Sequence, residues 1–175
     1  MSEGIGKSVP RKEDNRFITG KGRYTDDIKQ VGQSHAYFVR SPHAHADVVS
    51  IDVDEALSAP GVIAVLTGAD VTADGLGGLP CGWMIHSKDG SEMKQPHHPV
   101  LADNRVHYLG EPVAMVIADT ALEAKNAAEL VVVDWAEKQA VVSVSEAQTA
   151  PAIYDDIPQD TCYEWALGDS DAVAK

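Results

Sequence analysis

The clearest hydrophobic pattern in the chain lies between residues 109 and 137. Residues 112–118, PVAMVIA, form a short continuous apolar run, which is typical of a buried strand. Thr120 followed by Glu123 is a capping-box pattern that predicts the start of a helix. Residues 130–133 return to β-branched side chains that favour a strand. This stretch therefore predicts a strand, a capped helix and a second strand, and it contains no evident catalytic group.

Small residues make one face of that predicted helix. Ala121, Ala124, Ala128 and Val131 are spaced so that they lie on the same side. Because such residues let a helix lie close to a sheet, we expect residues 109–137 to be the centre of an α/β layer.

Shorter patterns predict the other elements. Residues 34–40 and 45–53 indicate two strands that a hairpin can join, since Val49, Ile51 and Val53 alternate with polar residues in the second. Asp54 is placed to cap one helical turn that ends at Leu57. Further strands are expected at residues 62–66, 100–107 and 140–144, with a turn at Asp103-Asn104 and a short capped turn at residues 145–149.

These elements suggest one domain with extensions, because domains typically have about 100–150 residues. We expect a flexible N-terminal arm over residues 1–15, a folded domain over 16–150, and an acidic connector over 151–175. Residues 70–99 are rich in Gly and Pro and have no sustained period, so they predict a long irregular excursion within the domain.

Composition and charge restrict the function. The formal net charge is −13, which argues against nucleic acid as a partner because phosphate binding needs a basic surface. No apolar stretch approaches the roughly 20 residues of a membrane span, and a cytoplasmic location is expected. One basic cluster lies near the N-terminus and is either a partner contact or ordinary solvated charge: Arg11, Lys12, Arg16, Lys21 and Arg23.

Two groups of residues have a composition that suits metal ligands. His43 and His45 are two residues apart, a spacing that places both imidazoles on one face of a strand, although no third ligand is evident nearby. Their alternative role is that of half-exposed side chains at a strand entrance. The second group lies in the irregular excursion, matches no standard zinc-finger spacing, and is otherwise a polar loop: Cys81, His86, His97 and His98. Cys81 and Cys162 are expected to be free thiols.

Three further patterns suggest chemistry weakly. Gly20 and Gly22 lack the third glycine of a dinucleotide-binding loop, so a tight structural turn is the competing interpretation. Cys81 precedes Gly82 but lies in no nucleophile-elbow motif. Glu111, in a Gly-Glu-Pro turn before a buried strand, is a possible general base if desolvated; alternatively, it bonds to loop backbone.

Three segments together resemble one family. RKEDNRFITGKGRYTDDI (residues 11–28), VRSPHAHADVVSIDVDEALSAPGVIAVLTGADV (39–71) and VLADNRVHYLGEPVAMVIADTALEAKNAAELVVVDW (100–135) are similar to the start of the large, molybdenum-binding subunit of the xanthine dehydrogenase and aldehyde oxidase superfamily. The opening segment is most similar to the large chain of aerobic carbon monoxide dehydrogenases.

The resemblance implies an α+β fold, the α/β hammerhead, with a mixed sheet and few helices. In this family the pterin-binding loops and the catalytic glutamate lie in later domains, and no segment here matches their motifs. The resemblance therefore predicts no catalytic, cofactor-binding or metal-binding residue in this chain. It makes Gly110-Glu111-Pro112 a hammerhead signature that fixes a turn.

Two functions follow as hypotheses. In the first, the chain is the N-terminal fragment of the large subunit of a molybdenum hydroxylase, is inactive alone, and has a structural, domain-packing role. The molybdopterin-type cofactor then belongs to the full-length parent, and the partners are its later domains and iron-sulfur and FAD subunits or domains. In the second, the chain is a stand-alone hammerhead interaction module without redox activity. The substrate class, whether carbon monoxide, an aldehyde or a heterocycle, is left open.

Overall fold

A computed structural model describes residues 5, 6 and 8–173, with the side chains of residues 170 and 171 excepted. The chain divides into two compact units, Met1–Gln33 and Ser34–Lys175. In the first unit, helix α1 (Asp14–Ile18) is followed by a 3-10 turn at Thr25–Asp27. The rings of Phe17 and Tyr24 stack there with centroids 4.6 Å apart. Residues 1–4 and 7 of the expected arm lie outside the described residues.

The second unit contains two antiparallel sheets of three strands each. One sheet has the order β1-β5-β3 and the other β4-β2-β6. The strands are β1 (His35–Arg40), β2 (Ala46–Asp52), β3 (Val62–Thr67), β4 (Arg105–Val106), β5 (Pro112–Ala118) and β6 (Val132–Glu137). Five short helices accompany them in the described part of this unit: α2 (Asp54–Leu57), α3 (Gly68–Ala73), α4 (Ala121–Ala128), α5 (Val144–Ala147) and α6 (Ser170–Val173). The predicted α+β class is confirmed. Where one sheet was expected, the structure has two antiparallel sheets.

Helix α4 begins where the capping pattern predicts. The hydroxyl of Thr120 accepts a hydrogen bond from the backbone N–H of Glu123, which satisfies one of the N–H groups that have no partner within the helix. Its buried face consists of Ala124, Ala127 and Ala128. The predicted face is wrong at Ala121, which is exposed because it lies in the first turn, before the helix reaches the sheet.

Strand β5 has a core on each side. Val116 packs with Val65 and the alanines of α4, whereas Val113 packs with Ala46 and Val106 of the other sheet. Positions 113 and 116 are three apart and therefore point to opposite faces of a strand. Burial on both faces explains why β5 is a continuous apolar run rather than an alternating one.

The predicted hairpin of residues 34–53 is wrong. β1 pairs with β5, while β2 pairs with β4 and β6 in the other sheet. The intervening Ser41 exchanges backbone hydrogen bonds with Gly110 and Glu111, so the chain leaves the first sheet instead of turning back on β1. A short connection alone does not define a hairpin, because its register depends on the turn geometry.

Two other local expectations are corrected. The alternation in β2 fails at Val49, which is exposed because a register irregularity between Val48 and Ser50 turns it out of the ladder with β6. The strand expected at residues 140–144 is absent from the described chain; Val142 is exposed, and Ser143 caps α5 through its hydroxyl. Asp54 opens α2, but the capping position is Val53.

Candidate functional site

The turn at residues 108–111 is bonded to the segment that leaves β1. The N–H of Glu111 donates to the carbonyl of Tyr108 at 3.2 Å, which closes the turn, and Gly110 has the positive φ of 85° that it requires. Ser41 donates its N–H to the carbonyl of Glu111 and accepts from the N–H of Gly110, both at 2.9 Å. The guanidinium of Arg40 also donates to the carbonyl of Gly110 at 2.9 Å.

The carboxylate of Glu111 is turned inward and is used by the same turn. The residue is 2% exposed, and its Oε2 accepts the backbone N–H of His107 at 2.5 Å. The Nδ1 atom of His107 lies 3.7 Å from the same oxygen. A buried carboxylate held by a backbone donor is a structural acceptor. The interpretation of Glu111 as a residue that fixes a turn is therefore supported by its contacts.

Three rings extend from this turn. His107 stacks on Tyr154 with centroids 4.4 Å apart and an interplanar angle of 7°, and it lies beside His45 at 6.3 Å. His45 is buried, and its Nδ1 lies 2.9 Å from the carbonyl of Gln139. Its Nε2 is buried without a hydrogen-bond partner among the described residues. We call His45, His107, Glu111 and Tyr154 the polar node.

Burial, with the nearby charge of Glu111, raises the pKa of two phenols. Burial is the main cause for Tyr154, and the nearby charge of Glu111 adds to it, since both disfavour the phenolate. Burial and Glu111 also raise the pKa of Tyr108, while Arg40 opposes them. Both tyrosines are therefore neutral at physiological pH and are not poised as bases.

Residues 153–160 hold Tyr154 on the node. The carboxylate of Asp160 accepts the backbone N–H groups of Ile153 and Tyr154 at 2.8–3.0 Å. Ile157 is 2% exposed, so this loop contributes a side chain to the interior. The first part of the expected connector is thus packed and hydrogen-bonded, while its boundary at residue 150 stays a prediction.

A cleft of about 610 Å³ opens beside the node, between the end of α3, β4 and residues 153–156. Apolar side chains supply part of its wall: Val71, Leu76, Pro99, Leu101 and Ile153. The rings of His107 and Tyr154 face it, as do four aspartates, Asp47, Asp103, Asp155 and Asp156, and one guanidinium, that of Arg105.

Ion pairs occupy part of this charged rim. Arg105 lies 2.6 Å from a carboxylate oxygen of Asp47 and 3.2 Å from one of Asp155, and Lys138 lies 3.0 Å from Asp47. Hydrogen bonds from Arg105 and then Lys138 hold the pKa of Asp47 below its ordinary value. Asp103 and Asp156 form no ion pair within the described chain.

The structure separates the two histidines proposed as a metal pair. They precede β2 rather than lie within it. His43 contacts the edge of the Trp135 ring and lies 3.4 Å from a carboxylate oxygen of Glu137, whereas His45 belongs to the polar node. The two histidines are two residues apart as noted, but their ring nitrogens contact different partners.

The second proposed set is also dispersed. Cys81, His86, His97 and His98 are exposed, and His98 lies 3.4 Å from the hydroxyl of Tyr108. Cys81 donates to the carbonyl of Trp83 and, like Cys162, is a free thiol. Among the described residues, no group of three or more His, Cys, Asp and Glu side chains is arranged to hold a metal ion.

The loop of Gly20 and Gly22 packs on a side chain of its own unit. A Cβ added to Gly22 would lie 2.0 Å from the Phe17 ring, so the space at this glycine accommodates a side chain of the chain itself. Gly20 has a φ of 70°, consistent with the structural turn.

In the basic cluster, Arg11 pairs with Asp14 at 2.9 Å and Arg16 lies over the Phe17 ring. No helix in the described chain is both long enough and apolar enough to cross a membrane.

Sequence reasoning missed the polar node and the cleft. Ser41, His107 and Tyr154 are distant in the chain and follow no recognised spacing. The one available signal was Glu111, since a carboxylate beside a buried strand requires donors nearby.

Comparisons with known proteins agree with this architecture. Residues 19–139 match the model of the aldehyde oxidase and xanthine dehydrogenase a/b hammerhead domain. The large subunit of nicotine 6-hydroxylase from Paenarthrobacter nicotinovorans is 42% identical over 73% of this chain and 15% of its own length. The carbon monoxide dehydrogenase large chain of Hydrogenophaga pseudoflava is 37% identical over 92% of this chain and 20% of its own.

Solved structures give the same result. Quinoline 2-oxidoreductase from Pseudomonas putida 86 superposes with a TM-score of 0.72 at 38% identity, covering 87% of this chain and 19% of that one. This chain spans only 15–21% of the length of three of the curated relatives that it matches. It belongs to the aldehyde oxidase and xanthine dehydrogenase a/b hammerhead domain family.

Proposed function

We propose that this chain serves as the hammerhead part of the large subunit of a molybdenum hydroxylase, with a structural role. The match of residues 19–139 to the hammerhead model carries the proposal. Relatives include the molybdenum-binding subunit of a xanthine dehydrogenase from Escherichia coli. The chemistry of such a subunit would then lie in the parts of it that this chain does not contain.

The side chains support a packing role. Glu111, the carboxylate best placed for acid-base chemistry, is used by the backbone of its own turn. Trp83 and Trp165 are 77% and 64% exposed, and Leu167 is 86% exposed. Large apolar side chains at such exposure are available for contact with another domain. The covering surface in this proposal is that of the later domains of the same subunit.

The finer assignments of this proposal are those that the family resemblance implies. The parent would carry a molybdopterin-type cofactor and would pass electrons to iron-sulfur and FAD subunits or domains. A carbon monoxide dehydrogenase type is supported by the large chain from Afipia carboxidovorans, which is 34% identical over 97% of this chain. Relatives named for nicotine, carbon monoxide and xanthine differ in the compound that their names give, so the family match leaves the substrate of the parent open.

The test is to sequence the gene past codon 175 and to co-express this chain with the polypeptide that follows. We expect the frame to continue into glycine-rich motifs and the two pieces to co-purify as a complex with hydroxylase activity. This chain alone should have none. A natural stop after Lys175, with no such polypeptide encoded, would favour the stand-alone interaction module.

A further inference from the structure

We infer that the cleft beside the polar node is a docking site for an arginine or lysine side chain flanked by apolar residues. The occupant we assign is a segment of the later domains of the same subunit, so this inference rests on the proposed function. The cleft consists of the residues already described around α3, β4 and residues 153–156.

The charge of the cleft selects a cation. Four aspartates face it with one guanidinium, and Arg105 is already bonded to Asp47 and Asp155. Asp103 and Asp156 remain without an ion pair in the described chain. An incoming cation could therefore pair with these two carboxylates without displacing an existing ion pair.

The apolar wall selects the kind of cation. Val71 lines the cleft, and Leu76, which also lines it, is 59% exposed. Arginine and lysine have long aliphatic stems that pack on apolar surface while their charged heads reach polar groups. A small hydrated cation would leave this wall uncovered, and a neutral apolar side chain would leave the carboxylates unpaired.

The volume is also suitable. About 610 Å³ accommodates more than one side chain, so the cation would enter with apolar neighbours rather than alone. Tyr154 and His107 line the same space, and the plane of an arginine guanidinium can stack on aromatic rings. Arginine is accordingly the better of the two occupants.

The first experiment tests the chemistry of the cleft and does not depend on the proposed function. The 15N-labelled 175-residue chain is titrated with the peptide acetyl-Leu-Arg-Leu-amide, and with the same peptide carrying neutral citrulline. We expect saturable amide shifts around Leu76, Leu101 and Asp103, and at least fivefold weaker binding of the citrulline peptide. Equal binding of both peptides, or shifts elsewhere only, would overturn the inference.

The second experiment tests the occupant. Binding of the polypeptide encoded after codon 175 is measured for wild type, Asp103→Asn with Asp156→Asn, and a control that removes the same charge elsewhere, Glu55→Gln with Asp119→Asn. We expect the cleft variant to bind about tenfold more weakly and the control to bind as wild type. The apolar variant Leu76→Ser, at an exposed site, should weaken binding also; circular dichroism checks that each variant is folded.

The outcomes separate the two proposals. If wild type binds the polypeptide and the cleft variant binds equally well, the docking inference fails and the proposed function stands. If wild type does not bind it at all, the proposed function fails and the assigned occupant fails with it. Sedimentation supplies a further outcome: a dimer of this chain that the cleft variant abolishes would identify a second copy as the occupant and overturn the assignment.

Discussion

Replacing Glu111 with alanine is the sharpest test of the role assigned to the polar node. The side chain is 2% exposed, and its Oε2 accepts the N–H of His107. Hydrogen bonds to charged groups contribute about 1.5–3 kcal/mol, and a buried donor left unsatisfied costs about 1–3 kcal/mol. These effects overlap, so we expect Glu111→Ala to lower the free energy of unfolding by about 3 kcal/mol. That is a large part of the roughly 5–15 kcal/mol typical of a domain.

The assay is urea unfolding at pH 7, followed by tryptophan fluorescence and by circular dichroism. Glu111→Gln keeps an acceptor oxygen in place and should lose only about 1 kcal/mol. Glu55→Ala, at an exposed position of α2, is the matched control and should stay within about 0.5 kcal/mol of wild type. If Glu111→Ala matched this control, the carboxylate would not be holding the turn.

Three further changes test other parts of the fold. Thr120→Ala removes the cap of α4 and should cost about 1 kcal/mol in urea unfolding; no loss would mean that the helix start is held by packing alone. Ala127→Leu adds volume at a residue that is 1% exposed and should cost about 1–3 kcal/mol, measured by thermal melting; an unchanged melting temperature is the contrary result. Folding raises the pKa of the Tyr154 phenol. The contribution of the neutral phenol to stability is therefore complete below the unfolded-state pKa near 10, and it is lost as the pH rises through the higher folded-state pKa. Tyr154→Phe should therefore lose less stability than wild type between pH 9 and 11, and identical losses would contradict the burial of the phenol.

Local elements of the fold were predictable where the residues of one short segment determine the structure of that segment. The cap at Thr120 and Glu123 and the apolar run of β5 are of this kind, since neighbouring residues determine both. The buried face of α4 was predicted incompletely, because the sheet and not the helix selects Ala127 over Ala121. The family resemblance supplied the fold class that these local patterns alone do not specify.

Pairing between distant strands was not predictable from the pattern. β1 and β2 are adjacent in the chain and lie in different sheets, because Ser41 bonds to residues 110 and 111 rather than to a hairpin partner. The exposed Val49 has the same origin: a register irregularity against β6 depends on a strand far along the chain. The contact of Tyr154 with His107 is equally non-local, since it joins the residue that follows β4 to a loop in which Asp160 accepts the backbone N–H groups of Ile153 and Tyr154.

The position of Glu111 relates the family signature to the surface that the domain presents. Its carboxylate accepts the backbone N–H of His107. The His107 ring stacks on Tyr154, and both residues line the acidic cleft. Its main chain holds Ser41, where the chain passes from one sheet to the other. An alanine in its place would remove the carboxylate that holds the backbone of His107, whereas the main-chain bond to Ser41 would remain, so the side chain stabilises the turn and the backbone stabilises the sheet crossing. This glutamate therefore has a structural role in the domain, because its carboxylate holds the backbone of His107, a residue that lines the cleft.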